Sequence, residues 1–380
     1  MPRLLVDLLF YTGTKGGGES YARELYGALG RHESDFEYVG MMSREGYERD
    51  HSWFPGDVFN SGISGENRFS WAVGELMRVG TAAKRVGADL IHAPATLGPR
   101  KTTVPLVVTL HDMNYWTHPE FMSTPLYTRP VRWMEEQVCR NAHAIITDSC
   151  DAKAEITRFL PISPDIVHVV YLAGTPGGAA IDPSRKRDAN VILAVGNRLP
   201  HKNFISLIRA LPLIPESERP SLVITGSRGD DPLRPVVTEL GLEEWVTLRE
   251  WVSDEELRDL HSTATALAVP SLAEGFGLPV VDAMVAGLPV ILSDIPVFHE
   301  IAGDAGLFFD PRDLKSIATA MRRITADSDL RSALVSRGHK QASSFSWDRT
   351  AIETMKIFDL VLDRGGASAP AGGTVTGAPN

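Results

Sequence analysis

The stretch from Ser271 to Asp294, SLAEGFGLPVVDAMVAGLPVILSD, constrains this chain more than any other. It reads as a tight loop, a short helix and a buried strand. Residues 273–278 (AEGFGL) are too glycine-rich for regular structure. Pro279 falls where a helix accepts it, in the first turn, because the missing N–H would have no partner there anyway. Val280, Val281, Met284 and Val285 form an apolar helical face, Gly287 suits a left-handed stop, and Pro289 prevents continuation. Val290-Ile-Leu is β-branched and apolar, as in a strand buried on both faces. Such a corner has a chemical use. Gly275 and Gly277 let backbone approach a ligand closely, and the free N–H groups opening the helix attract an anion. Glu274 and Asp282 bracket the turn as acceptors for sugar or ribose hydroxyls. The blander alternative is a strand–loop–helix corner with two solvated acids.

The first half opens with the same grammar. Leu4 to Phe10 is an apolar strand, Gly16-Gly-Gly a loop, and Glu19 to Leu29 a helix with Tyr21, Leu25 and Leu29 on one face. A dinucleotide site is disfavoured, because the G-x-G-x-x-G spacing is missing and no acid ends the second strand, Phe36 to Val39. Residues 41–70 show no clear period. They either line a binding pocket, with Trp53, Phe54 and Phe59 as platforms, or form an irregular loop that buries its aromatics. Further strands are expected at 89–92, 105–110, 144–147 and 166–170, with a helix over 126–142 and Ser149 capping the next one. The strand ending at Leu110 leads into His111-Asp112, at the sheet edge where ligands of open α/β sheets collect.

Residues 173–190 are rich in Gly, Pro and charge, and Val191 to Val195 then restarts strand, glycine, polar loop and helix. Further strands are expected at 222–226 and 246–248, and Ser253 to Glu256 spells a capping box. At 380 residues the chain is long for one core, which agrees with two domains. A net charge of −10 argues against nucleic acid as a partner. The two cysteines, Cys139 and Cys150, make no framework and fit a reducing, cytoplasmic setting. No run approaches a membrane span, and no basic amphipathic helix suggests membrane docking. No histidines have metal-ligand spacing such as HExxH, so neither metal nor cofactor is expected.

The string around Glu274 resembles the E-x7-E signature of retaining glycosyltransferases of the GT4 type, in the GT-B superfamily. GNRLPHKNF, at 196–204, is similar to that family's diphosphate-binding loop, and the Gly16 loop to its G-G-x-E element. The resemblance implies a GT-B α/β fold, two Rossmann-like doubly wound domains about a cleft. It places an acceptor domain over 1–174, a linker over 175–190 and a donor domain over 191–346. A helix over 347–363 returns to the first domain, and a disordered tail follows over 364–380. The implied activity is hexose transfer from a nucleotide-diphosphate sugar, acting as co-substrate, to a hydroxylated acceptor. By the same resemblance Lys202 and Arg198 take charge on the leaving diphosphate. Glu274 and His111 contact donor hydroxyls, with His118 a second candidate. Gly16, Gly17, Asn203, Gly275, Phe276, Gly277, Leu278 and Asp282 surround the donor, and Trp251 and Val252 lie against its base. Asp282 stands where the family carries Glu and reaches less far by roughly 1.5 Å. Two alternatives share this reading of the cleft: a GT-B-type epimerase or phosphorylase, and a noncatalytic nucleotide-sugar binding module.

Overall fold

The structure is a computed structural model that describes residues 1–14, 16–122, 124–175 and 190–366. The expected linker and tail therefore fall almost wholly outside the described residues. Two all-parallel sheets form, each with short apolar central strands buried on both faces and more exposed strands at an edge. The first contains β1 (Arg3–Leu8), β2 (Glu37–Met42), β3 (Asp57–Asn60), β4 (Leu90–Ala93), β5 (Leu106–Thr109), β6 (Ala144–Thr147) and β7 (Val167–Val169). The second contains β8 (Val191–Val195), β9 (Ser221–Ser227), β10 (Val246–Glu250), β11 (Ala266–Val269), β12 (Val290–Ser293) and β13 (Gly306–Phe309). Their orders are β3-β2-β1-β4-β5-β6-β7 and β10-β9-β8-β11-β12-β13. Strand order thus reverses between β1 and β4 in one sheet, and between β8 and β11 in the other. Loops leaving the carboxyl ends of those strands splay apart and leave a crevice. Both doubly wound sheets place such a crevice, and the two face each other.

The last described helix, Trp347–Gly366, lies on the first sheet's side, against the Gly17–Leu29 helix. Its Phe358 ring meets Phe36 at 5.8 Å and His92 at 5.1 Å, and Arg31 pairs with Asp348 at 2.9 Å. Trp347 Nε1 donates to the Gly174 carbonyl at 3.0 Å, and Thr350 Oγ1 to that of Tyr171 at 2.7 Å. These bonds hold the chain segment that leaves the first sheet. Among the described residues, no helix is long and apolar enough to cross a membrane.

Within residues 41–70, Phe54 is buried and Trp53 partly buried, whereas Phe69 is 80% exposed. Phe54 packs on Tyr26 at 5.2 Å and Trp53 on Tyr11 at 5.1 Å, so neither is a platform for a ligand. Two helices follow that the sequence reading left unassigned, Arg68–Met77 and Val79–Val86. Two buried acids lie where the first meets β1: Glu75 and Asp7 are each 1% exposed, Glu75 accepting Trp71 Nε1 at 2.5 Å and Asp7 accepting the Leu9 N–H at 3.2 Å. Burial raises Asp7 from 3.8 to about 6, opposed by the neighbouring Glu75 carboxyl and the Leu9 N–H. Burial beside Asp7 raises Glu75 well above its ordinary value.

An acid whose folded pKa exceeds its unfolded one stabilises the protein fully only below the unfolded value. This stability is lost as pH rises through the folded value. Stability to thermal unfolding is therefore expected to fall as pH rises from about 4 through about 6, where Asp7 ionises in the folded protein. Asp7→Asn should flatten that slope, and an unaltered slope in the variant would refute the raised pKa of Asp7.

Candidate functional site

The loop from Pro270 to Gly277 leaves β11, and the loop from Gly196 to Asn203 leaves β8, so the two lie side by side at the reversal point. Lys202 Nζ donates to Glu274 Oε1 at 2.6 Å, and Ser271 Oγ donates to the same oxygen at 2.7 Å. Burial alone would raise the Glu274 pKa, but the adjacent Lys202 ammonium and these two bonds hold it below the ordinary value. The pair is thus a carboxylate and an ammonium, fixed together at a sheet edge. Gly277 has a left-handed φ of 96°, and a side chain there would meet Phe298 at 2.8 Å. It therefore turns the loop into the Leu278–Val285 helix.

The first sheet supplies the opposite wall. Gly275 sits so close to the carboxyl end of β5 that a Cβ on it would lie 1.8 Å from the His111 carbonyl oxygen and 3.3 Å from Asp112 Cβ. Ser149 Oγ, after β6, donates to the Gly275 carbonyl at 2.7 Å. Glu300 spans the same junction. Its carboxylate accepts the N–H groups of Cys150 at 2.7 Å and Asp151 at 3.1 Å, opening the Cys150–Phe159 helix, and the Tyr171 hydroxyl at 2.8 Å. A carboxylate at a helix N-terminus satisfies otherwise orphaned donors and favours the helix dipole.

His111 is locked on both sides, with Nδ1 2.7 Å from Asp148 Oδ2 and Nε2 3.0 Å from the Pro94 carbonyl. Burial lowers its pKa, but Asp148, Asp112 and the Pro94 carbonyl outweigh this and raise it above the ordinary histidine value. With acceptors at both nitrogens, the ring is suited to carry positive charge. His118 turns to its own segment instead, pairing with Glu120 at 3.1 Å.

Comparison with known proteins decides what this crevice belongs to. Residues 180–341 match the family described as glycosyl transferases group 1, and residues 15–173 match glycosyltransferase family 4. The O-antigen chain mannosyltransferase B of Escherichia coli is 31% identical over 271 residues, spanning 67% of this chain and 70% of that protein. The chain belongs to the GT4-type glycosyltransferases. Salmonella typhimurium O-antigen chain mannosyltransferase RfbU is 32% identical over 252 residues, 65% of this chain and 68% of the relative. In fold, the chain is similar to sucrose-phosphate synthase from Thermosynechococcus elongatus. That match has a TM-score of 0.76 at 19% identity, over 97% of this chain and all (100%) of the other. Anabaena HepE, solved in complex with UDP and glucose, aligns with a TM-score of 0.69 at 18% identity, over 95% of this chain and 100% of that one. A GT-B fold with two Rossmann-like domains is thereby established, and the protein is an enzyme of glycosyl transfer.

Within this glycosyltransferase, several residues expected at the donor have other partners. Arg198 is buried against Asp231 at 2.8 Å, and its remaining donors reach the carbonyls of Gly196, Ile224, Thr225 and Arg249. All five of a guanidinium's N–H groups are accounted for by such a set, so here Arg198 braces its loop. Asn203 takes the left-handed φ of 55° and donates to the carbonyls of Pro270 and Pro311 at 3.1 and 3.0 Å, joining the two site loops. Asp282 accepts the Thr175 N–H at 2.6 Å; burial raises its pKa to about 6. In this arrangement its carboxylate holds the chain segment leaving the first sheet, which the shorter Asp side chain places within reach. The Phe276 ring is 3% exposed and packs on Phe345, so only its backbone faces the loop surface.

Other expected residues do converge. Gly16, at the N-cap of the Gly17–Leu29 helix, would place a Cβ 3.2 Å from the tip of the Trp251 ring, so the two walls meet there as well. Gly17 is exposed, with open space before it. Trp251 is half exposed under Arg228, whose guanidinium sits 5.1 Å from the ring centroid, while Val252 and Leu278 are partly buried beside this region. Glu19 fixes the glycine loop by accepting the Thr12 N–H at 2.6 Å. Sequence reasoning missed Asp231, Glu300 and His201. His201 is 5% exposed with Nδ1 unpaired, and burial lowers its pKa with help from the neighbouring Lys202. A histidine before Lys-Asn was visible in the sequence, but nothing there indicated its burial between the walls. Among the non-glycine described residues, positive φ occurs at Asn203 and at Thr96 (69°), which follow the two strands at the reversal points. Strain of this kind collects at working sites.

Gly275 has no left-handed φ, so alanine fits its own backbone and clashes only with the His111 carbonyl. Gly275→Ala should lower the melting temperature by several degrees while the protein still unfolds cooperatively. Turnover should fall roughly tenfold or more, because overpacking of 1–3 kcal/mol falls on wall contact. Steady-state kinetics beside a thermal melt check this, and full turnover would mean that the contact is not needed.

Proposed function

We propose that the enzyme is a retaining transferase that moves a hexose from a nucleotide-diphosphate sugar to a hydroxylated acceptor, without a metal. The Lys202–Glu274 pair carries this reading. Breaking a glycosyl–phosphate bond leaves negative charge on the diphosphate, and a preorganised ammonium at that position stabilises the transition state. Lys202 would exchange its contact with Glu274 for the diphosphate, helped by the N–H groups that open the Leu278–Val285 helix. Glu274, released from the ammonium and still bonded to Ser271, would hold donor sugar hydroxyls. The backbone of Gly275 to Leu278 and the Gly16–Gly17 loop would enclose the phosphates, and Trp251 with Val252 would rest against the base.

Retention suits the first wall. Both His111 nitrogens are engaged, so its imidazole is poorly placed to act as the base that an inverting attack requires. The acceptor would instead attack on the face from which the diphosphate departs, and the phosphate oxygen would take its proton. A charged His111 ring near the donor would add favourable charge. Two relatives are named as mannosyltransferases, which makes a mannosyl donor the first to try. The two free cysteines and the net charge of −10 support a cytoplasmic enzyme that does not act on nucleic acid.

Lys202→Ala should reduce turnover by roughly several hundredfold while the protein still melts cooperatively; near-full turnover would remove the leaving-group role. Product from an α-linked donor should show the α-anomeric proton signal by NMR, and a β product would reject retention.

A further inference from the structure

A cavity of 590 Å³ opens in the first domain between the Arg68–Met77 and Pro125–Asn141 helices. Its sides are Phe69, Val73 and Leu76 from one helix, Val131 and Met134 from the other, and Leu97 from the loop after β4. Those six side chains present only carbon and sulfur. At the inner end stands Asp112, whose Cβ lies against Gly275, so the cavity ends where the two walls of the transfer site meet. Asp112 Oδ1 accepts the Asn114 N–H at 2.9 Å. Its Oδ2 has no hydrogen-bond partner among the described residues and can receive a hydroxyl.

The second carboxyl at the floor, Glu135, is 2% exposed and accepts Trp116 Nε1 at 2.7 Å. Burial raises it to about 8, so Glu135 adds little charge to the floor near neutral pH. At the outer end the apolar surface does not stop. Phe69, Val73 and Met77 recur at four-residue steps with exposures of 80, 44 and 65%, and Leu126 on the facing helix is 86% exposed. Contiguous apolar surface that rims a pocket marks a binding surface rather than a solvated face. The volume is that of a small-molecule site.

Resting on the transferase reading above, we propose that the acceptor is an amphiphile. Its hydroxyl-bearing head sits at Asp112, beside the donor, and its apolar body fills this cavity and leaves over the Phe69–Val73–Met77 rim. The Asp112 carboxylate orients the attacking hydroxyl, and the chain sets affinity. A purely hydrophilic saccharide would leave the lining wet and gain nothing from it.

The test uses n-alkyl β-D-glucosides from methyl to decyl, kept below their micelle concentrations, with the full-length protein. Binding is followed by the change in intrinsic tryptophan fluorescence, to which Trp71 of the cavity lining contributes, with no donor present. Affinity should rise about fourfold for each added methylene until the cavity is full, since each buried methylene adds a fixed free energy. Met134→Trp, which fills the cavity, should end the rise at a shorter chain, and Met134→Ala should extend it. Each variant is checked for a cooperative melt, so that a misfolded one cannot imitate the result, and one folded variant suffices. Affinity independent of chain length, or an unchanged profile in a folded Met134 variant, overturns the proposal. A second arm presents the decyl glucoside in phosphatidylcholine vesicles together with the donor. Faster transfer there points to a membrane-held acceptor, and faster transfer in solution to a free apolar compound. Because binding is read without donor, a chain-dependent affinity with no glycoside formed counts against the transferase reading and leaves the cavity's ligand class standing. Transfer to methyl and octyl glucosides at equal kcat/KM would do the reverse.

Discussion

The approach of Gly275 to the carboxyl end of β5 is the constraint on which the rest of this enzyme depends. The His111 carbonyl occupies the space where any side chain at 275 would begin, so the second-sheet loop can seat against the first sheet only as glycine. Ser149 then bonds the Gly275 carbonyl, and the Glu300 carboxylate closes the helix N-terminus one residue further on. With these contacts made, Glu274 and Lys202 on one side and His111 and Asp112 on the other become parts of a single site. Without them each wall would hold half of a binding surface open to water, and charges exposed to water are worth far less to a transition state.

The division of labour among the cations follows from the same geometry. Arg198 and Lys202 are four residues apart in one loop, yet their environments differ completely. Arg198 meets a buried carboxylate and a ring of backbone carbonyls, a set that uses the planar fork of a guanidinium and stabilises the loop. Lys202 meets one partly exposed carboxylate, the contact that the proposed diphosphate would displace. A rigid brace beside an exchangeable cation is what preorganisation requires: the brace fixes the position, and the cation responds to the ligand. His111 belongs with the brace, since Asp148 and Pro94 fix its orientation.

The first domain adds a second polarity. Its inner end, around Asp112, is charged and shared with the donor side, whereas its outer end is apolar and open. An acceptor that matches both must be polar at one end only. The buried acids Asp7 and Glu75 lie where the helix that forms one side of the cavity meets β1, so the groups that make the fold sensitive to pH sit behind the proposed acceptor wall.

Much of this was legible in the amino-acid sequence, because periodicity and punctuation are local. The alternation of apolar strands with amphipathic helices dictated two doubly wound sheets. Gly287 takes the left-handed backbone its position implied, and Ser253 with Glu256 forms the capping box their spacing spelled. Loop composition likewise put Lys202 and Glu274 at one sheet edge. What each polar side chain would touch was not legible, because partners are chosen by tertiary distance and not by spacing. Arg198 finds Asp231, Asn203 finds two carbonyls from other loops, and Asp282 finds Thr175, none of them near in sequence. The cavity was hidden for the same reason. Phe69, Val73 and Met77 follow the pattern of a core helix, and only the packing of two helices against β1 and β5 decides that this apolar face is left for a ligand.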